Sequence, residues 1–347
     1  SPTPVAPSPE ATIEPTVTSQ PTLAATSLRT TTPSHSPTPV PPTATPTFVP
    51  EPVILPTVTV PLPLPRRQPT DPLSGILDVL GNRASLVRSL FAREPIEREF
   101  VTREDLSDRI LTEFEEDLED VLKFEQLYKT LGILDHDESL SDILVAMYSE
   151  GVLGFFDTEE ERLYMVSEDE DLGPKDQSTY VHEYIHGLQQ QHYDINTTFE
   201  ELEQDTDKSL AFRGLIEGDA SVSEMLYMFQ YMDDEEEAEA RAPSPDSSFE
   251  AFRAAPHVIQ RTFTFPYVEG FQFVVALFTA VNDWDLVDEA YAAPPQSTEQ
   301  VIHPEKYLIG EGPVAVELPD LAEALGEGWS QILTDSFGEF FIQVYLE

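Results

Sequence analysis

Proline fixes φ and removes an N–H donor, so its placement limits what a chain can fold into. Of the 31 prolines, 19 lie in the first 70 residues, together with 22 Ser or Thr. The charges of this stretch cancel, Arg29, Arg66 and Arg67 against Glu10, Glu14 and Glu51. With so few aromatics it has nothing with which to build a core. Residues 1–70 therefore read as an extended, disordered stalk or linker. Residues 71–347 must hold both core and function, as one large domain or two small ones.

This second part carries the whole net charge of −46, with 16 basic against 62 acidic residues. Nucleic acid is excluded as a partner, since phosphates need Lys and Arg. With no Cys in the chain, disulfides, thiolate metal sites and a Cys nucleophile are all excluded. The longest uncharged apolar run, Phe271 to Val281, is too short for a bilayer. The chain opens on Ser1 and shows no signal peptide. We expect a mature, exported form, extracellular or held at the cell surface by an N-terminal anchor that has been removed.

Hydrophobic spacing in 71–347 is mainly helical. Thr102 and Asp105 resemble a capping box, and Leu106, Ile110, Phe114, Leu118, Val121 and Leu122 follow at helical intervals. A shorter helix is expected over Leu140–Tyr148. Val152–Phe156 and Leu163–Val166 flank the acidic Asp157–Glu161 and read as a β-hairpin, with Arg162–Val166 as an edge strand. Helices follow over about Ser178–Gln191 and Asp207–Met232. The remainder reads as helix broken at Pro266, Pro294–Pro295 and Pro304, with a last helix near the C-terminus. The fold class is α+β, predominantly α, with a small sheet.

The chemistry concentrates in Val181-His182-Glu183-Tyr184-Ile185-His186, an H-E-x-x-H sequence. At 3.6 residues per turn His182 and His186 stand one turn apart on one face, so both imidazoles can reach one Zn²⁺. Glu183 then points beside the metal, where it can act as general base toward a metal-activated water. A strand followed by such a helix is the zincin layout. The bland alternative is a pair of surface histidines on an amphipathic helix.

A third ligand is needed, and two candidates exist. His192 has the spacing of H-E-x-x-H-x-x-G-x-x-H, but Gln189 stands where that pattern has the turning glycine. Glu217, in Leu215-Ile216-Glu217-Gly218-Asp219-Ala220, lies among apolar neighbours where an unpaired carboxylate would be costly. Glu217 is favoured; its structural alternative is an ion pair with Arg213 one turn earlier.

With Leu188–His192, Leu215–Ala220, Gly154–Asp157, Phe265-Pro266-Tyr267 and Ser297–Tyr307, the chain from about Phe100 onward resembles exported, largely uncharacterised gluzincin-like metallopeptidases of bacteria and archaea. The resemblance implies a zincin-like fold and metal dependence, and no particular substrate. In the thermolysin-like subset an Asp four residues after the ligand Glu orients a zinc histidine. Here that place is Ser221, and Asp219 is the substitute considered. For stabilising an oxyanion, His303 is the first candidate, ahead of Tyr307 and Tyr267.

The expectation is a zinc-dependent peptide hydrolase acting on peptide or protein. Its metal would lie on His182, His186 and Glu217, with Glu183 as base and His303 assisting. An edge strand would align the substrate. The rival expectation is a non-catalytic surface module with a structural metal.

Overall fold

A computed structural model describes residues 72–102, 118–151, 154–166, 172–202, 204–242, 249–316, 318, 321 and 325–347. The Pro/Thr-rich segment 1–70, the expected helix start over 102–117 and the acidic run 168–171 lie outside the described residues, Thr102 apart.

Within them the chain is mainly helical with one small sheet. The order is α1 (Pro72–Arg88), β1 (Glu97–Val101), α2 (Leu118–Leu131), α3 (Leu140–Gly151), β2 (Gly154–Asp157) and β3 (Arg162–Val166). Then come α4 (Pro174–Tyr193), α5 (Ile195–Leu202), α6 (Thr206–Tyr231), α7 (Asp234–Ala240), α8 (Glu250–Ala254) and α9 (His257–Val281). The chain closes with α10 (Asp285–Ala292), α11 (Thr298–Ile302), α12 (Pro304–Leu308) and α13 (Glu339–Leu346).

The expected hairpin is present. β2 pairs antiparallel with β3, Phe155 opposite Tyr164, and the two rings stack with centroids 5.0 Å apart. β3 is not an edge, however. β1 pairs parallel with its other side, Phe100 opposite Met165, so β2 is the strand left at that edge. The sequence hid β1 because Glu-Arg-Glu-Phe-Val is short and mostly charged, and its side chains are at best half-buried.

The helix that bears the motif is set by its ends. Gly173 is the N-cap, Pro174 takes the first helical position, and the Asp176 carboxylate accepts the Gly173 N–H at 3.0 Å. Its far end is Asp194, in the left-handed region at φ 51°, whose N–H returns to the Gln190 carbonyl. The helix thus runs straight through Gln189 to Tyr193.

α6 is the spine. Its Ala211, Phe212 and Leu215 belong to one apolar core with Phe265, Phe273, Val287, Val301 and Phe340. Its Ala220, Tyr227 and Met228 belong to a second, with Leu80, Leu163, Met165, Val181, Ile185 and Leu188. A helix buried on so many faces has no amphipathic stripe. A smaller cluster, Leu134, Leu140, Met147, Ala255 and Ile259, joins α3 to the start of α9.

α9 corrects one expectation. It continues through Pro266 as a single 25-residue helix. Pro266 is buried inside it, where close packing against α6 outweighs the lost backbone hydrogen bond. By length and composition α9 could cross a membrane. Here its Phe265, Phe273, Val274 and Leu277 fill the core. Glycines let the two long helices meet: a Cβ at Gly218 would stand 2.2 Å from the Gly270 carbonyl oxygen, and one at Gly270 2.2 Å from that of Gly214. This crossing fixes Glu217 on α6 relative to Tyr267 on α9.

Candidate metal centre

His182 and His186 project from α4 with ring centroids 4.8 Å apart, nearly perpendicular. Glu217 reaches them from α6. Its Oε2 lies 3.2 Å from His182 Nε2 and 3.5 Å from His186 Nε2. One donor atom from each residue falls within 4.8 Å of the other two, so His182, His186 and Glu217 form a group that could hold a metal ion. Arg213, the alternative partner of Glu217, instead lies over the Phe199 ring at 5.0 Å.

The donor chemistry fits a metal. Gln189 Nε2 donates to the Ile216 carbonyl at 3.0 Å and to Asp219 at 3.2 Å. Its Oε1 is therefore the acceptor facing His186 Nδ1, 2.8 Å away. That places a proton on His186 Nδ1 and turns Nε2 toward Glu217. His182 is held alike: its Nδ1 lies 3.2 Å from Glu224 Oε2. Outer partners that fix tautomer and ring orientation are what imidazole ligands need.

Opposite charges crowd this point. Burial pushes the His182 pKa down, but hydrogen bonds with Glu217 and Glu224 outweigh it and hold it well above the ordinary histidine range. Burial pushes Glu217 up, and the His186 charge and the His182 hydrogen bond outweigh that, holding it below the usual carboxylate range. Glu183 behaves differently. Burial pushes its carboxyl pKa up, and the nearby histidines only partly oppose this.

Glu183 opens on a cleft of about 320 Å³ that His182, Glu224, Thr179 and Tyr267 also line. Gly154, at the start of β2, lies against it: a Cβ there would be 3.4 Å from Glu183 Cγ. Gly154 at the start of β2, Glu183 and, of the metal group, His182 therefore share one opening.

The other sequence candidates separate. His192 stays in the last turn of α4 and donates from Nε2 to the Phe91 carbonyl at 2.8 Å, as the missing glycine requires. His303, expected to assist catalysis, sits between α11 and α12 with Nε2 3.0 Å from Glu339 Oε1. It is not among the residues lining the cleft. Ser297 caps α11 and Pro304 starts α12, and this pair of short helices turns His303 toward α13. Tyr307 donates to the Ala293 carbonyl. Tyr267 alone of the three reaches the cleft, its ring centroid 6.4 Å from that of His182.

Asp219 does not touch either histidine. Fully buried, it accepts from Arg88 Nε at 2.5 Å, Tyr291 Oη at 2.8 Å and Gln189. Its influence on His186 passes through Gln189. Glu224, Gln189 and Arg88 were not singled out from the sequence as functional. Glu224 is seven residues after Glu217, two turns along one face, and Gln189 is three after His186, so helical spacing carried a signal for both. Arg88, on α1, gave none.

A mainly helical frame with a three-stranded sheet and a His/His/Glu group thus defines a candidate metal centre. No protein-family model and no curated protein matches the chain. Among solved structures, one from Chloroflexus aurantiacus, described as "a putative hydrolase with a novel fold", is similar at 16% identity. It covers 69% of this chain and 88% of its own, with a TM-score of 0.48. At that distance the likeness carries neither fold nor chemistry across.

Proposed function

We propose that the chain is a zinc-dependent peptide hydrolase of gluzincin type. The observation that carries this is the convergence of His182, His186 and Glu217 behind a cleft that His182 and Glu183 line. Two imidazoles and a carboxylate suit Zn²⁺. A zinc ion held there supplies Lewis acidity and lowers the pKa of a water to about 7.

The chain's own groups do the rest. Glu183, beside His182 on the cleft wall, takes the proton of the attacking water and returns it to the leaving amine. Glu224 and Gln189 hold the two imidazoles with Nε2 inward. Tyr267, on the cleft wall, replaces His303 as the donor to the developing oxyanion. β2, an outer strand of the three-stranded sheet that begins at Gly154 beside Glu183, is the element along which an extended peptide would align.

The Pro/Thr-rich residues 1–70 serve in this reading as a stalk for an exported enzyme. The acidic surface leaves no role for nucleic acid. Glu183→Gln tests the chemistry. It should keep zinc and fold while losing about 10²-fold or more in turnover of a peptide pool, as expected for a missing general base. Turnover like that of the wild type would refute the assignment.

A further inference from the structure

Beyond Tyr267 the cleft has an apolar side that the hydrolytic machinery does not use. From His182 a chain of rings leads outward: Tyr267 at 6.4 Å, Phe263 at 6.5 Å from Tyr267, then Tyr148 and Phe252, each 5.9 Å from Phe263. Phe249 and Met147 complete this wall. α3, α8 and α9 contribute to it, so it is built from separate parts of the chain. Tyr148, Phe249, Phe263 and Tyr267 are 37–46% exposed, although burying such rings is strongly favourable. Clustered exposed aromatics facing one opening mark a surface meant to be covered.

The polar side is equally selective. Among the described residues lining the cleft, the charged ones are Glu183 and Glu224 beside His182, with no Lys or Arg. An acidic side chain would enter against two carboxylates with no cation to meet it. A free α-carboxylate would also lack a partner. Residues 71–347 as a whole bear 62 acidic and 16 basic side chains, a net field that attracts cationic segments.

We propose that the cleft selects a peptide bond next to a large apolar side chain, aromatic above all, in a neutral or cationic segment, and rejects acidic ones. This rests on the hydrolase reading. The ring wall takes the side chain while Glu183 faces the neighbouring bond.

The test uses the full chain loaded with zinc and a set of end-blocked, internally quenched peptides differing at one position: Phe, Leu, Ala, Lys or Asp. Mass spectrometry locates the cut. The Phe and Leu peptides should exceed Ala by about 10- to 100-fold in kcat/KM, the worth of burying such a side chain. The Asp peptide should be the poorest. Phe263→Ala should lower the Phe-over-Ala ratio, with urea unfolding run alongside to confirm the fold. Flanking Lys residues should raise kcat/KM at low salt, and added salt should remove the gain. Binding of the same peptides to zinc-loaded Glu183→Gln provides a second readout. If the wild type cuts no peptide, the hydrolase reading fails, and the binding series still judges the cleft. Equal handling of Phe, Ala and Asp, in cutting or in binding, would overturn the inference.

Discussion

Arg88→Met removes the cation from the best-defined buried network in the molecule, and its effect can be worked from the surroundings. The guanidinium is completely buried, with Nε 2.5 Å from Asp219 and Nη2 2.6 Å from Asp288, and it lies 4.3 Å over the Trp284 ring. Methionine keeps much of the stem volume but no charge. Asp288 is 41% exposed and can rehydrate. Asp219 is not exposed at all, so its carboxylate is left in the core with only the Tyr291 and Gln189 donors. Leaving such a charge uncompensated costs about 3–5 kcal/mol. Two remaining donors favour the lower half of that range, and loss of the stacked cation adds about 0.5–2 kcal/mol. The expected loss is about 4 kcal/mol. It is read by urea unfolding in excess chelator, so that metal linkage does not contribute. Adding Asp219→Asn should recover a large part, because the orphaned charge is gone while an acceptor for Tyr291 remains. A loss under about 1 kcal/mol for Arg88→Met, or no recovery in the double variant, would refute the reasoning.

Gln189→Leu should weaken zinc affinity by about 10- to 100-fold, because His186 loses the acceptor that fixes its tautomer; chelator competition measures it, with apo unfolding as the control. Gly270→Ala should destabilise by about 1–3 kcal/mol or more in urea unfolding, since the new methyl meets the Gly214 carbonyl across the α6–α9 crossing. His303→Ala should remove a half-exposed pair with Glu339 and lower stability by less than about 1 kcal/mol, with hydrolysis unchanged. A drop in kcat would return His303 to the mechanism.

What the sequence made legible follows from the range of the forces involved. The H-E-x-x-H helix, the 155–165 hairpin and α6 are written in local periodicity, and Glu217 stood out as a carboxylate among apolar residues. His192 was separable from the metal because one local feature, Gln189 in place of glycine, decides whether the helix turns. β1 is paired across some sixty residues and carries almost no apolar pattern, so no local signal announced it. Pro266 was read by its usual effect, but α9 continues through it, packed through glycines against α6, some 50 residues away in sequence. His303 lies away from the cleft for a similar reason: its direction is set by α13, through Glu339. The Arg88–Asp219–Gln189 relay joins α1, α6 and α4 and exists only once they pack.

The central claim is that His182, His186 and Glu217 together hold one metal ion. Its most direct test is metal content after dialysis against a weak chelator, measured in parallel for wild type, Glu217→Ala and His192→Ala, each checked for folding. The account predicts about one zinc per chain in the wild type and in His192→Ala, whose imidazole is spent on the Phe91 carbonyl, and little in Glu217→Ala. A loaded, folded Glu217→Ala beside an empty His192→Ala would contradict it.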